Sequence, residues 1–296
     1  MNDKIENILF PTDFSETANN ALLIAINIAK RDQAALHLLH IIVPKCNDIS
    51  FDRRPEVWQA LEQQNKKGLK KLSVALEKQY NITVYAHTSI SDIHAAECIE
   101  QFAERLNVDL IVMGTHGLSG TRDFFMGSNT YTVMRNVACP VLAIPVYYKK
   151  FFFRNILLPI RRTEEIEDKF KIVTRFLKSP STRIEFLGVA PFTDFTSFDC
   201  LTNKINGLAF NLKNQGIDFV HRNEICEDIA DFVLDYADAC DAELLVINPV
   251  MDDDWGFFSL GPYTQKILNH TKKPVMCVKP ETNHVMSKHV ITTHIK

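Results

Sequence analysis

Short apolar runs alternate along this chain with longer stretches whose apolar positions recur every three or four residues. Runs at 5–10, 35–43, 82–87, 109–113 and 140–144 have the length and β-branched content of strands buried on both faces. Between them, Glu16–Arg31 carries Ala18, Leu22, Ile26 and Ala29 at helical spacing. A charged segment, Val57–Gln79, sets Trp58, Leu61, Leu69, Leu72 and Leu76 on one stripe, which predicts a helix buried along that stripe. Asp92–Leu106 reads as a third helix, and a fourth opens near Ser128. Strands alternating with helices predict a parallel sheet covered on both faces and joined by right-handed crossovers.

The pattern then repeats. Asn7-Ile8-Leu9-Phe10-Pro11 returns as Asn155-Ile156-Leu157-Leu158-Pro159, and Val108–Met113 returns as Ala242–Ile247. Cys139-Pro140-Val141-Leu142 matches Lys273-Pro274-Val275-Met276 on the prolines. Same-order copies mean an internal duplication. The expected class is α/β, with two tandem doubly wound domains at 1–147 and 153–280 and a tail at 281–296. The final strands, Pro140–Ile144 and Pro274–Val278, are apolar sheet edges, and bare edges invite pairing. The connector from Pro145 to Asn155 is short and aromatic rather than a flexible tether. The two final strands are therefore expected to pair across an internal pseudo-twofold.

Composition narrows the partners. With 46% hydrophobic and 23% charged residues the chain has a globular profile, and a net charge of −3 gives no overall basic excess for a nucleic-acid backbone. No apolar run is long enough to span a membrane, and the start shows no basic-then-apolar leader. Seven cysteines fall at spacings that match neither a zinc site nor a redox pair. A cytoplasmic protein without nucleic-acid or membrane partners is expected.

Chemistry gathers in two loops. The loop after the fourth strand carries Gly114, Gly117 and Gly127-Ser128 in a G-x-x-G-x9-G-S skeleton. Glycines allow close approach of backbone N–H groups, and Gly127-Ser128 opens a helix whose unpaired donors suit a phosphate. The skeleton lacks the lysine of a Walker A loop and follows the wrong strand for a Rossmann fingerprint. The loop after the first strand, Pro11-Thr12-Asp13, offers a carboxylate that can cap the next helix, with Glu16 as its box partner, and can also accept from a ribose hydroxyl. His116 and Arg122 lie in the glycine loop and read most simply as loop residues.

Together, Ile8–Asp13, Leu38-Leu39-His40-Ile41, Asp109–Gly117, Gly127-Ser128 and Cys139–Leu142 resemble the universal stress protein family, over essentially the whole first repeat. The glycine spacing is similar to that of the family's ATP-binding branch. The resemblance implies a five-stranded parallel sheet of order 3-2-1-4-5 in each domain, with ATP or AMP where strands one and four diverge. It implies Pro11, Thr12, Asp13, Ile41 and Met113 around adenine and ribose, and Gly114, Gly117, Gly127, Ser128 and Asn129 at the phosphates. It also implies a divalent ion such as Mg2+ held mainly by phosphates and water, and dimerisation through the final strand, within the chain or with a further copy.

The second repeat has lost these groups. Ile160-Arg161 replaces Thr12-Asp13, Asn248 and Met251 replace Gly114 and Gly117, and Pro262 follows Gly261 where Ser128 follows Gly127. Asp252-Asp253-Asp254 would repel a polyphosphate. A nucleotide-dependent stress sensor or regulator with one site per chain is the leading expectation. A slow ATPase or autophosphorylating enzyme using Ser128, and an interaction scaffold with unnamed protein partners, stay open beside it.

Overall fold

The computed structural model describes residues 4–43, 55–90, 94–115, 126–150, 152–161, 166–176, 182–192, 197–214, 219–249, 251–252 and 259–279. In the first half, β1 (Asn7–Pro11), α1 (Glu16–Asp32), β2 (Ala35–Ile42), α2 (Pro55–Tyr80) and β3 (Val84–Ile90) are followed by α3 (Ala95–Arg105), β4 (Leu110–Gly114), α4 (Ser128–Asn136) and β5 (Val141–Ile144). The second half runs β6 (Asn155–Ile160), α5 (Ile166–Phe176), β7 (Arg183–Pro191), α6 (Ser197–Asn214), β8 (Phe219–Cys226) and α7 (Ile229–Ala239). It continues through β9 (Leu244–Ile247), a hairpin of β10 (Met251–Asp252) and β11 (Ser259–Leu260), α8 (Pro262–His270) and β12 (Val275–Cys277). The hairpin was not expected from the sequence.

Ten of these strands form one sheet, ordered β3-β2-β1-β4-β5-β12-β9-β6-β7-β8. Each half has the 3-2-1-4-5 order and is parallel throughout, and the two meet where β5 and β12 pair antiparallel, with Leu142 opposite Met276. The expected union of the final strands is thus present, and the antiparallel seam relates the halves by a pseudo-twofold. Both seam strands are wholly buried.

Strand alternation sorts the core into two layers. Ile8 and Phe10 of β1 pack in one layer with α1, α2, α5 and α6, while Leu9 packs in the other with α3, α4, α7 and α8. Each layer draws residues from both halves and crosses the seam. Three further contacts cross between the halves or brace the connector: Lys279 Nζ donates to Arg135 O (2.5 Å), Lys150 pairs with Glu243 (2.6 Å), and Asn20 Nδ2 donates to Val146 O (2.6 Å).

Across β2 and β3, His37 Nδ1 lies 3.0 Å from His87 Nε2, and its other nitrogen is 3.3 Å from Asn7 Oδ1 at the start of β1. Burial, and then the charge of His87, lower the pKa of His37 from 6.5 to about 4. Between those values the unfolded chain takes up a proton that folded His37 refuses. Stability is therefore full above pH 6.5 and declines as pH falls toward 4. His37→Gln should flatten this decline, read as the urea midpoint at pH 7.5 against pH 4.5. An unchanged slope would assign the decline to other groups.

Candidate functional site

The order of strands reverses at β1, which has β2 on one side and β4 on the other, so a crevice opens beyond their carboxyl ends. Pro11 ends β1, Ile41 lies near the end of β2, and Met113-Gly114 end β4. The chain turns sharply after β1. Thr12 N–H donates to Leu39 O (2.8 Å), Phe14 N–H to Thr12 Oγ1 (3.1 Å) and Ser15 N–H to Asp13 Oδ1 (3.0 Å). Phe14 adopts a left-handed backbone, with φ of 62°.

This geometry corrects the capping expectation for Asp13. The N-cap of α1 is Ser15, whose hydroxyl accepts from Ala18 N–H (3.1 Å), and Asp13 instead closes a tight turn one step earlier. His40 Nδ1 lies 2.8 Å from Thr12 O. A carbonyl only accepts, so the proton sits on that nitrogen. His40 also contacts the Phe14 ring at 4.7 Å between centroids, which braces the turn from β2.

On the opposite wall, α4 starts at Gly127, which caps it without a side-chain hydrogen bond. Ser128 and Asn129 are exposed in the first turn, where backbone donors have no carbonyl one turn back to receive them. Gly127 is different: its N–H donates to Thr115 O (2.8 Å) and is spent within the protein. Thr130 Oγ1 donates to Gly114 O (2.9 Å), tying α4 to the end of β4. A Cβ on Gly114 would stand 2.7 Å from Thr17 Cγ2 and 3.1 Å from the Thr17 backbone carbon. Close packing of α1 on β4 alone therefore demands glycine there. Gly117, with His116 and Arg122, lies outside the described residues.

The structure thus brings Pro11, Thr12, Asp13, Ile41, Met113, Gly114, Gly127, Ser128 and Asn129 to one end of one sheet. Thr12 and Met113 are buried, while Pro11, Asp13 and Ile41 are half-buried at the mouth. Among the described residues, no group of three or more His, Cys, Asp or Glu side chains is placed to hold a metal. No described helix is long and apolar enough to cross a membrane.

Residues 4–145 match the model of the universal stress protein family. A universal stress protein of Methanocaldococcus jannaschii is 32% identical over 144 residues, 46% of this chain and 80% of the relative. One from Bacillus subtilis is 32% identical over 143 residues, 46% of this chain and 97% of the relative. The chain belongs to the universal stress protein family. The crystal structure of a universal stress protein from Archaeoglobus fulgidus shares the fold at a TM-score of 0.73 and 16% identity, covering 92% of this chain and 98% of that one. The likeness in fold therefore extends through both halves.

The second half of this universal stress protein repeats the crevice with other contents. Arg161, at the position of Asp13, lies with its guanidinium 4.1 Å from the centroid of Tyr263, which stands where Asn129 stands in the first half. Two positions that flank the first crevice are here joined to each other by a cation–π contact. Pro262 occupies the first turn of α8 and brings no N–H. Below them the amine of Lys169, a residue 1% exposed, donates to Pro159 O (2.8 Å). Asp253 and Asp254 lie outside the described residues, and Asp252 belongs to β10. Sequence reasoning missed Ser15, His40 and Thr130 as supports of the first crevice. His40 lay within a quoted motif, but nothing in the pattern revealed its contact with Thr12.

Proposed function

We propose that this universal stress protein binds ATP or AMP in its first half and acts as a nucleotide-dependent sensor or regulator of the stress response. The observation that carries the reading is the start of α4: its N-cap, Gly127, has no side chain to cap the first turn, and Ser128 and Asn129 are exposed there, at the end of the β1–β4 crevice. Such a terminus suits an anion through its donors and its partial positive charge. Gly127 contributes by leaving that terminus unobstructed, since its own N–H is already engaged.

The remaining contacts follow from chemistry. Pro11, Ile41 and Met113 present apolar surface for a purine. Thr12 and Asp13 present a hydroxyl and a carboxylate beside the ribose, held in place by the Asx turn and by His40. Mg2+ would ride on the phosphates and water. Domains at 1–147 and 153–280, a cytoplasmic location and unnamed protein partners belong to the same reading. In the second half, Arg161 and Tyr263 already occupy one another, so one nucleotide per chain is expected.

Titration calorimetry of the full chain with ATP, and separately with AMP, tests this. A stoichiometry of one supports the proposal, and no heat from either nucleotide, or a stoichiometry of two, refutes it. Phosphate release that disappears in Ser128→Ala would instead assign hydrolysis to the site, and transfer of the γ-phosphoryl group to the protein, with release of ADP, that disappears in the same variant would assign self-phosphorylation.

A further inference from the structure

The ten-stranded sheet ends in two edges that are built differently. β8, at one end, is Phe219-Val220-His221-Arg222-Asn223-Glu224-Ile225-Cys226, with His221 and Arg222 exposed and Glu224 close by. Charges on an edge discourage further pairing. β3, at the other end, is Val84-Tyr85-Ala86-His87-Thr88-Ser89-Ile90, with neither a charged residue nor a proline among its seven. Among the described residues no strand pairs with its outer side.

The direction of its free groups follows from register. Leu36 N–H donates to Thr83 O (2.9 Å), and Leu36 lies opposite Val84. In a parallel ladder this turns the peptide groups of Thr83, Tyr85, His87 and Ser89 toward β2. Val84, Ala86, Thr88 and Ile90 consequently turn their N–H and C=O groups outward, and the Val84 N–H donates to Glu77 Oε1 (3.2 Å). That edge forms the floor of a groove of about 540 Å³, with Glu62 and Lys66 of α2 on one bank and Gln101 and Arg105 of α3 on the other. Beyond Lys66, the outer face of α2 continues with Lys67, Lys70, Lys71 and Lys78 around Val74, which is 50% exposed. The chain is net negative, at −3, yet the charged residues of α2 that line these two faces are five lysines against one glutamate.

We propose that the outer edge of β3 is a docking groove for an extended acidic segment of a partner protein, which adds an eleventh strand and sets its carboxylates against the α2 lysines. Backbone pairing supplies the attachment and the lysines supply the selection. A second copy of this chain fits the groove poorly. Two β3 strands paired about a twofold would place α2 beside α2 on the same face of the joined sheet, bringing lysine against lysine.

The test uses the full chain and fluorescein-labelled heptapeptides of alternating valine and glutamate, read by fluorescence anisotropy. Three effects of at least tenfold are expected: weaker binding when lysine replaces glutamate, when alternate peptide nitrogens are methylated, and when the protein carries Lys66→Glu with Lys70→Glu. Thr88→Pro removes an outward N–H and should weaken binding by at least as much, while leaving the β2 ladder intact. The methylated peptides test the same bond on the wild-type protein, so the result stands even if that variant misfolds. Bound acidic peptide should slow amide exchange at Ala86, Thr88 and Ile90. Equal binding of acidic and basic peptides, indifference to methylation, or unchanged exchange at those three amides would overturn the proposal. So would self-association in sedimentation velocity that Thr88→Pro abolishes, which would give the edge to a second copy.

Discussion

A Gly127→Glu chain is expected to fold normally and to show no measurable heat with ATP. Gly127 has φ of −60° and ψ of 145°, an extended conformation open to any residue, so the backbone does not resist the change. A carboxylate at a helix N-cap is favourable to the helix itself, because it answers the partial positive charge there. Stability should therefore hold or rise slightly. The same carboxylate would stand where the proposal places phosphate. Like charges about 4 Å apart at an intermediate dielectric repel by roughly 4 kcal/mol, enough to weaken binding by more than a hundredfold. Calorimetry beside a urea melt separates the two effects. Retained affinity in a stable variant would remove α4 from the binding site.

The second large effect is expected at the seam. Leu142 is fully buried, lies opposite Met276 and belongs to a core layer that runs through both halves. Leu142→Asp would bury a carboxyl group with no partner provided for it. Uncompensated buried charge costs about 3–5 kcal/mol, a large share of the 5–15 kcal/mol typical of folded proteins. Because the sheet is continuous, the loss should be felt by the whole chain as a lower urea midpoint in both halves together. Tyr147 lies just past the seam strand and is 74% exposed, so Tyr147→Asp adds the same charge at a site where about 0.5 kcal/mol or less is expected. Equal midpoints for the two variants would mean that β5 and β12 contribute little to holding the halves together.

Much of this architecture was legible because it rests on local periodicity. Alternation of buried strands with amphipathic helices gave the α/β class, and the two copies of Asn-Ile-Leu gave the duplication. The apolar final strands at Pro140–Ile144 and Pro274–Val278 pointed to the seam. The replacement of Thr12-Asp13 by Ile160-Arg161 marked the second crevice as altered. What stayed hidden depends on contacts distant in sequence. Asp13 and Ser15 are both good caps, and the choice fell to Ser15 because Phe14 takes a left-handed turn that no pattern announces. Gly114 looked like a ligand-facing glycine, yet Thr17 of α1 already requires it. Arg161 and Tyr263 stood at matched positions in the alignment of the two halves, but their contact needed coordinates. β3 ran to Ile90, three residues past the expected end, because seven consecutive pairs with β2 hold it there.

Joining both halves in one polypeptide has a consequence for how the crevices could diverge. In a dimer of identical chains every substitution appears twice, so Arg161 could not enter one side without displacing Asp13 from the other. Here a single gene writes each side separately. The brief stretch between Ile144 and Asn155 also keeps β5 and β12 at a high mutual concentration, however scarce the protein becomes. Dilution cannot part the two halves, and their assembly is independent of abundance.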